Sequence, residues 1–180
     1  MLPSEFSELT VKLSKPFLDQ KPGTSGLRKS TLTFENPHYL ESFIESIFCT
    51  LPGVRGGVLV VGGDGRYGNK RAIETILKMA AAHGISKVIT TIDGVLSTPA
   101  ASNLIRINKA IGGIILSASH NPGGLQGDFG VKLNGANGGP ASEALTDKIY
   151  NYSRNLNEYK IIKCNLNNFT SVGEYKLASM

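Results

Sequence analysis

A chain of 180 residues, 41% hydrophobic and 18% charged, holds one domain, or one and a fraction, with enough apolar mass for a core. Its net charge of +5 comes from dispersed Lys and Arg, not from a basic stripe interleaved with aromatics. That pattern argues against nucleic acid and suits an anionic small molecule. Cys49 and Cys164 are too few and too far apart for a disulfide framework or a zinc motif, and they fit reduced cytoplasmic thiols. No apolar run reaches membrane-spanning length, and Met1–Glu5 lacks the pattern of a signal peptide, so neither membrane nor secretion is expected.

The first element is a strand over Leu9–Leu13, followed by a polar loop from Asp19 to Arg28. Residues 37–51 place Leu40, Phe43, Ile44, Ile47 and Phe48 at helical spacing, with Asn36 as the expected cap and Pro37 in the first turn. Val58–Val61 is a β-branched run of the kind buried on both faces of a parallel sheet. A helix over Asn69–His83 ends at Gly84, and the next strand covers Lys87–Ile92. Thr98–Ala110 reads as a helix with Pro99 at its start, and Ile111–Ser117 as a buried strand. Phe129–Asn134 alternates as a further strand, antiparallel to its predecessor or after a wide loop. Ser142 caps a last helix to Arg154, and Tyr159–Cys164 reads as an edge strand. Strands alternating with helices of this length imply an α/β fold, a three-layer α/β/α sandwich with a mixed, mostly parallel sheet.

Two loops draw attention. Gly63-Asp-Gly-Arg-Tyr-Gly68 spells G-x-G-x-x-G between a strand and a helix, with Asp93 where a ribose-binding acid would fall. Against a dinucleotide stand an earlier strand with its own glycine loop, and the Asp64 carboxylate where a pyrophosphate would approach. A turn closed by an Asp64–Arg66 ion pair is the plainer reading. Ser117-Ala-Ser-His-Asn-Pro-Gly-Gly124 follows the apolar run 111–116, so a hydroxyl and an imidazole sit on a turn enforced by Asn-Pro and Gly-Gly. Ligands of α/β sheets gather at strand carboxyl ends. Ser119 and His120, the glycine loop ending in Arg28, and Lys132 on the following strand are therefore expected around one crevice. Each also has a plain structural reading: a loop cap, a turn residue, a solvated arginine, an outward lysine.

Residues 117–124, Gly127-Asp-Phe-Gly-Val-Lys-Leu-Asn134 and Asn137-Gly-Gly-Pro-Ala141 resemble the active-site region of the phosphoglucomutases, in the α-D-phosphohexomutase superfamily. Lys21-Pro-Gly-Thr-Ser-Gly-Leu-Arg-Lys29, Val61-Gly-Gly-Asp-Gly-Arg-Tyr67 and Gly94-Val-Leu-Ser-Thr-Pro-Ala100 match further first-domain motifs in the same order. The resemblance implies interconversion of glucose 1-phosphate and glucose 6-phosphate, with glucose 1,6-bisphosphate as intermediate and activator. It implies that Ser119 carries the phosphoryl group, one oxygen of which ligates Mg²⁺. It implies that His120 positions the reacting groups, Lys132 acts as acid or base, and Arg28, Thr24 and Ser25 hold the sugar phosphate. Ser117 stands where Thr is more usual.

The family's aspartate-rich magnesium loop, its sugar-recognition loop and its second phosphate loop have no counterpart in the sequence. Residues 1–163 are therefore expected to be the first domain, with 164–180 the start of a linker or a truncated end. Its expected partners are a hexose phosphate and the remaining domains of a parent enzyme. Alone, the chain is expected to lack activity and to self-associate through the face those domains would cover. A non-catalytic structural or binding module is the alternative.

Overall fold

The apolar runs at 58–61 and 111–116 become the centre of a sheet because every side chain on them can be buried. The computed structural model describes residues 7–13, 15–164, 166 and 172–174. Its elements are β1 (Ser7–Lys12), β2 (Leu27–Ser30), α1 (Thr31–Phe34), α2 (Tyr39–Thr50), β3 (Val58–Gly63), α3 (Asn69–Ala82) and β4 (Lys87–Ile89). A 3₁₀ turn (Ile92–Gly94) follows, then α4 (Thr98–Ile107), β5 (Gly112–Leu116), β6 (Asp128–Gly135), α5 (Glu143–Ser153) and β7 (Glu158–Lys163). One sheet runs β2-β6-β5-β3-β4, and β1 pairs with β7 in a separate antiparallel ribbon.

The sheet is mixed, as expected. β5·β3 and β3·β4 are parallel, whereas β2·β6 and β6·β5 are antiparallel, so the two senses are equally represented. Helices cover both faces. Leu59, Val61, Ile114, Leu116, Val131 and Leu133 pack with α2, α3 and Ile149 of α5. On the other face Val60 and Ile115 meet Ala101 and Ile105 of α4. The alternation of β-strand side chains accounts for this division, since neighbouring residues of β3 and β5 feed opposite cores.

Several boundaries differ from the sequence reading. The loop before Arg28 gives way to β2, and α1 follows it directly, capped by Ser30, whose hydroxyl accepts from Thr33 N at 3.2 Å. Asn36 does not cap α2. Its carbonyl accepts from Tyr39 N at 3.2 Å across a turn with Pro37 second and His38 third at φ 69°, and the helix starts at Tyr39. The strand expected to Ile92 ends at Ile89. α4 stops three residues before Ala110 because Lys109 turns left-handed (φ 50°) and Ala110 N reaches Ile105 O at 2.9 Å. At the end of α3, Gly84 (φ 72°) plays the same part, with Ile85 N bonded to Ala80 O at 3.0 Å. That leaves His83 as the C-cap. β1 lies outside the main sheet, but β2, with the glycine loop before it and α1 after it, precedes β3 within that sheet, so the G-x-G-x-x-G turn does not follow the sheet's first strand. The expected tail, 164–180, falls largely outside the described residues. Among the described residues no helix is long and apolar enough to cross a membrane.

Candidate functional site

β5 ends at Leu116 and delivers Ser117 to the sheet edge, where its N–H donates to Gly130 O of β6 at 2.9 Å. The chain then turns, and Ser119 sits exposed with φ 57°, a left-handed conformation disfavoured for a residue with a Cβ. Its N–H donates to Ser117 Oγ (3.0 Å), and that hydroxyl donates to Asp64 Oδ2 (2.8 Å). Arg66 grips the same carboxylate through Nε (2.9 and 3.1 Å) and Nη2 (2.8 Å). The guanidinium, only 6% exposed, also donates from Nη2 to Ser119 O (3.2 Å) and from Nη1 to Asp128 O (2.6 Å). A clamp built from the loop after β3 thus holds Ser119 by both its N–H and its carbonyl.

The rest of the serine loop is tied down as firmly. Asn121 Nδ2 donates to Asp128 Oδ2 at 2.8 Å, and Thr31 bonds Gly127 O through its N–H (2.8 Å) and Gly124 O through its hydroxyl (2.9 Å). Burial alone would raise the Asp64 carboxyl, but hydrogen bonds from Arg66 and Ser117 outweigh it and hold the group below its ordinary value. The Asp64–Arg66 pair is therefore internal, as the plainer reading of the glycine motif had it. Its link to Ser119 is what that reading missed, because residues 64, 66 and 117 meet only across the β3–β5 pairing.

Arg28 reaches the same edge from β2. It pairs across the sheet with Gly130, itself opposite Ser117. A Cβ at Gly130 would lie 2.2 Å from Ser117 O and 3.2 Å from Arg28 Cγ, so the missing side chain is what lets the arginine stem cross β6. The Arg28 Nε is buried without a hydrogen-bond partner among the described residues. Gly26 does similar work one rung along: a Cβ there would lie 2.7 Å from Lys132 Cα, and Thr24 and Ser25 stand exposed on the turn it closes. That turn is locked by reciprocal Gly23–Gly26 bonds of 3.1 and 2.9 Å. Lys132 pairs with Ile115 and alternates with the buried Val131 and Leu133, so it shares a sheet face with Arg28 and Gly130. His120 is exposed, its Nδ1 3.4 Å from Ser119 Oγ.

Ser119, His120, Arg28 and Lys132 therefore lie around one sheet edge, with Thr24 and Ser25 beside them. A concavity of 610 Å³ beside the start of α3 is lined by Arg66, Tyr67, Lys70, Arg71 and Asp93, among others, and by none of those six. A magnesium ion is not accommodated by these residues alone. The two carboxylates hydrogen-bonded into the serine loop are engaged, Asp64 by Arg66 and Ser117, and Asp128 by Asn121. The chemistry this surface offers is an exposed hydroxyl with cationic side chains on the adjoining strands, which suits phosphoryl groups.

Comparison with known proteins identifies the family. Residues 19–168 match the family model described as phosphoglucomutase/phosphomannomutase, alpha/beta/alpha domain I. The chain is 57% identical over 148 residues to a phosphoglucomutase of Aspergillus fumigatus, covering 82% of the chain and 27% of that protein. It is 53% identical over 168 residues to a phosphoglucomutase of Rhizobium radiobacter, covering 93% and 31%. Among solved structures, the open form of pp63/parafusin from Paramecium, titled an exocytosis-sensitive phosphoprotein and phosphoglucomutase, superposes with a TM-score of 0.89 at 44% identity. That match covers 93% of this chain and 31% of the other. A phosphomannomutase-like structure from Thermus thermophilus gives 0.62 at 28% identity, covering 79% and 30%. The chain spans less than a third of the length of these relatives. With an α/β/α layering, six ordered motifs and a match over residues 19–168, the chain belongs to the phosphoglucomutase/phosphomannomutase family as its first α/β/α domain.

Proposed function

We propose that the chain is the phosphoserine-bearing domain of a phosphoglucomutase that interconverts glucose 1-phosphate and glucose 6-phosphate in the cytoplasm. The observation that carries this is Ser119: an exposed hydroxyl clamped at a strand's carboxyl end in a strained backbone conformation, while Arg28, across β6 from Ser117, keeps a buried nitrogen with no hydrogen-bond partner among the described residues. Ser119 Oγ carries the phosphoryl group. Its O–P bond breaks as phosphorus bonds to a sugar hydroxyl, whose proton is taken by Lys132 in its neutral form and ends on the departing Ser119 Oγ. Reversing this step at the other end of glucose 1,6-bisphosphate restores the phosphoserine and releases product. Arg28, Thr24 and Ser25 hold the non-reacting phosphate, and His120 orients the transferring group. Were magnesium bound, the phosphoryl group on Ser119 would supply one ligand and groups outside these residues the others, and the ion would stabilise charge on the transferring group.

Mass spectrometry of a parent enzyme purified from cells tests the assignment. Phosphate is expected on Ser119, and Ser119→Ala is expected to remove both phosphate and turnover. An unmodified Ser119 in an active parent, or an active Ser119→Ala variant, refutes it. A second reading, a binding module without catalysis, draws on the exocytosis-sensitive phosphoprotein named among the similar structures. It would be favoured by a parent that is phosphorylated yet does not turn over hexose phosphates.

A further inference from the structure

At the opposite end of α3 from the glycine loop lies a second cluster of chemically active side chains. We propose that Glu45, Cys49 and His83 form a Zn²⁺ site, with a water as fourth ligand, that ties the C-terminal end of α2 to that of α3. Glu45 and Cys49 are four residues apart on α2 and so share one face, while His83 caps α3. One donor atom from each lies within 4.8 Å of the other two. Cys49 Sγ is 3.5 Å from Glu45 Oε1, and His83 Nε2 is 2.8 Å from Glu45 Oε2. A tetrahedral zinc with bonds of about 2.3 Å to sulfur and about 2.0 Å to nitrogen and oxygen sets its ligands roughly 3.3–3.5 Å apart. The donors are thus near coordination distance in a collapsed, hydrogen-bonded state.

The surroundings also suit a metal. Lys160 N donates to Glu45 Oε2 at 3.1 Å, and the Phe48 ring lies 5.3 Å from that of His83, which together orient two of the three ligands. Glu45 is buried, whereas Cys49 keeps the solvent access that a fourth, water ligand requires. A thiolate, an imidazole and a carboxylate select zinc over the oxygen-loving magnesium and calcium. α3 has 14 residues. At about 1.5 Å per residue it separates this cluster from the serine loop by roughly 20 Å, so the site does not depend on the proposed chemistry there.

Titration of the purified chain with Co²⁺, followed by Zn²⁺, tests the site. One equivalent of Co²⁺ is expected to give a thiolate-to-metal charge-transfer band, abolished by Zn²⁺ and absent in both Cys49→Ser and His83→Gln. Zn²⁺ at a hundredfold excess over its Kd is expected to raise the melting temperature by about 5–10 °C. Ser119→Ala is expected to leave band and shift intact, which separates this site from the phosphoserine reading. The absence of a band, a band that survives His83→Gln, or an unshifted melting temperature overturns the proposal.

Discussion

Ser119 is held at φ 57°, and a Cβ in that conformation costs about 1 kcal/mol relative to glycine. Ser119→Ala keeps the strain, whereas Ser119→Gly relieves it and both remove the hydroxyl. The glycine variant is therefore expected to be more stable than the alanine variant by about 1 kcal/mol in urea denaturation. Equal stabilities would mean the loop is not strained. Asp64 gives a second test. Its carboxyl is depressed in the folded chain, so its contribution is present above the unfolded value of about 4 and is lost as pH falls through the folded one. The difference in melting temperature between the native chain and Asp64→Asn is expected to be flat above about pH 5 and to close in stronger acid. A difference that widens in acid would contradict the clamp.

At the scale of elements, the antiparallel flank of the sheet decides the geometry of the site. β6 returns from the serine loop and pairs on one side with β5 and on the other with β2, which brings Arg28 and Ser117 to either side of Gly130. Gly130→Ala puts a methyl 2.2 Å from Ser117 O and against the Arg28 stem. The expected loss is about 3 kcal/mol by urea denaturation, a large overpacking penalty because the obstructing atom is backbone. A loss below about 0.5 kcal/mol would mean that β6 shifts freely and that the arginine does not depend on the missing side chain. Face assignment follows the same logic: α4 covers Val60 and Ile115, while Arg28 and Lys132 lie on that side over β2 and β6.

For the molecule as a whole, the candidate residues come from β2, β6 and the loops beside them. Ser119 is exposed and lies outside the 610 Å³ concavity, while Tyr67, Ile92, Val95 and Leu125 expose apolar surface on loops that follow the strands. A transition state needs donors on every side of the transferring group. The purified 180-residue chain is therefore expected to show less than about a thousandth of a full-length relative's turnover in a coupled glucose 6-phosphate assay. Comparable turnover would show that these residues suffice. The exposed apolar residues are expected to make it self-associate, with sedimentation rate rising with concentration; a monomer at all concentrations would contradict that.

Periodicity and turn chemistry were enough to read β3, α3, β5, β6 and α5 from the residues, because burial on one or both faces leaves its mark on neighbouring positions. The serine loop was legible too, since Asn-Pro and Gly-Gly punctuate it locally. β2 was not, because Leu27–Ser30 is short and its partner lies about a hundred residues away. The Asp64–Arg66 pair was visible as a local couple, but its hold on Ser119 was invisible until β3 and β5 lay side by side. The Glu45–Cys49–His83 cluster escaped the cysteine spacing rules for the same reason, its members coming from two helices that only packing aligns. Local sequence determined which segments are helix, strand or turn, and which residues stand at strand ends. Tertiary structure alone decided which of them meet, because contacts across a sheet join positions whose separation along the chain carries no periodic signal.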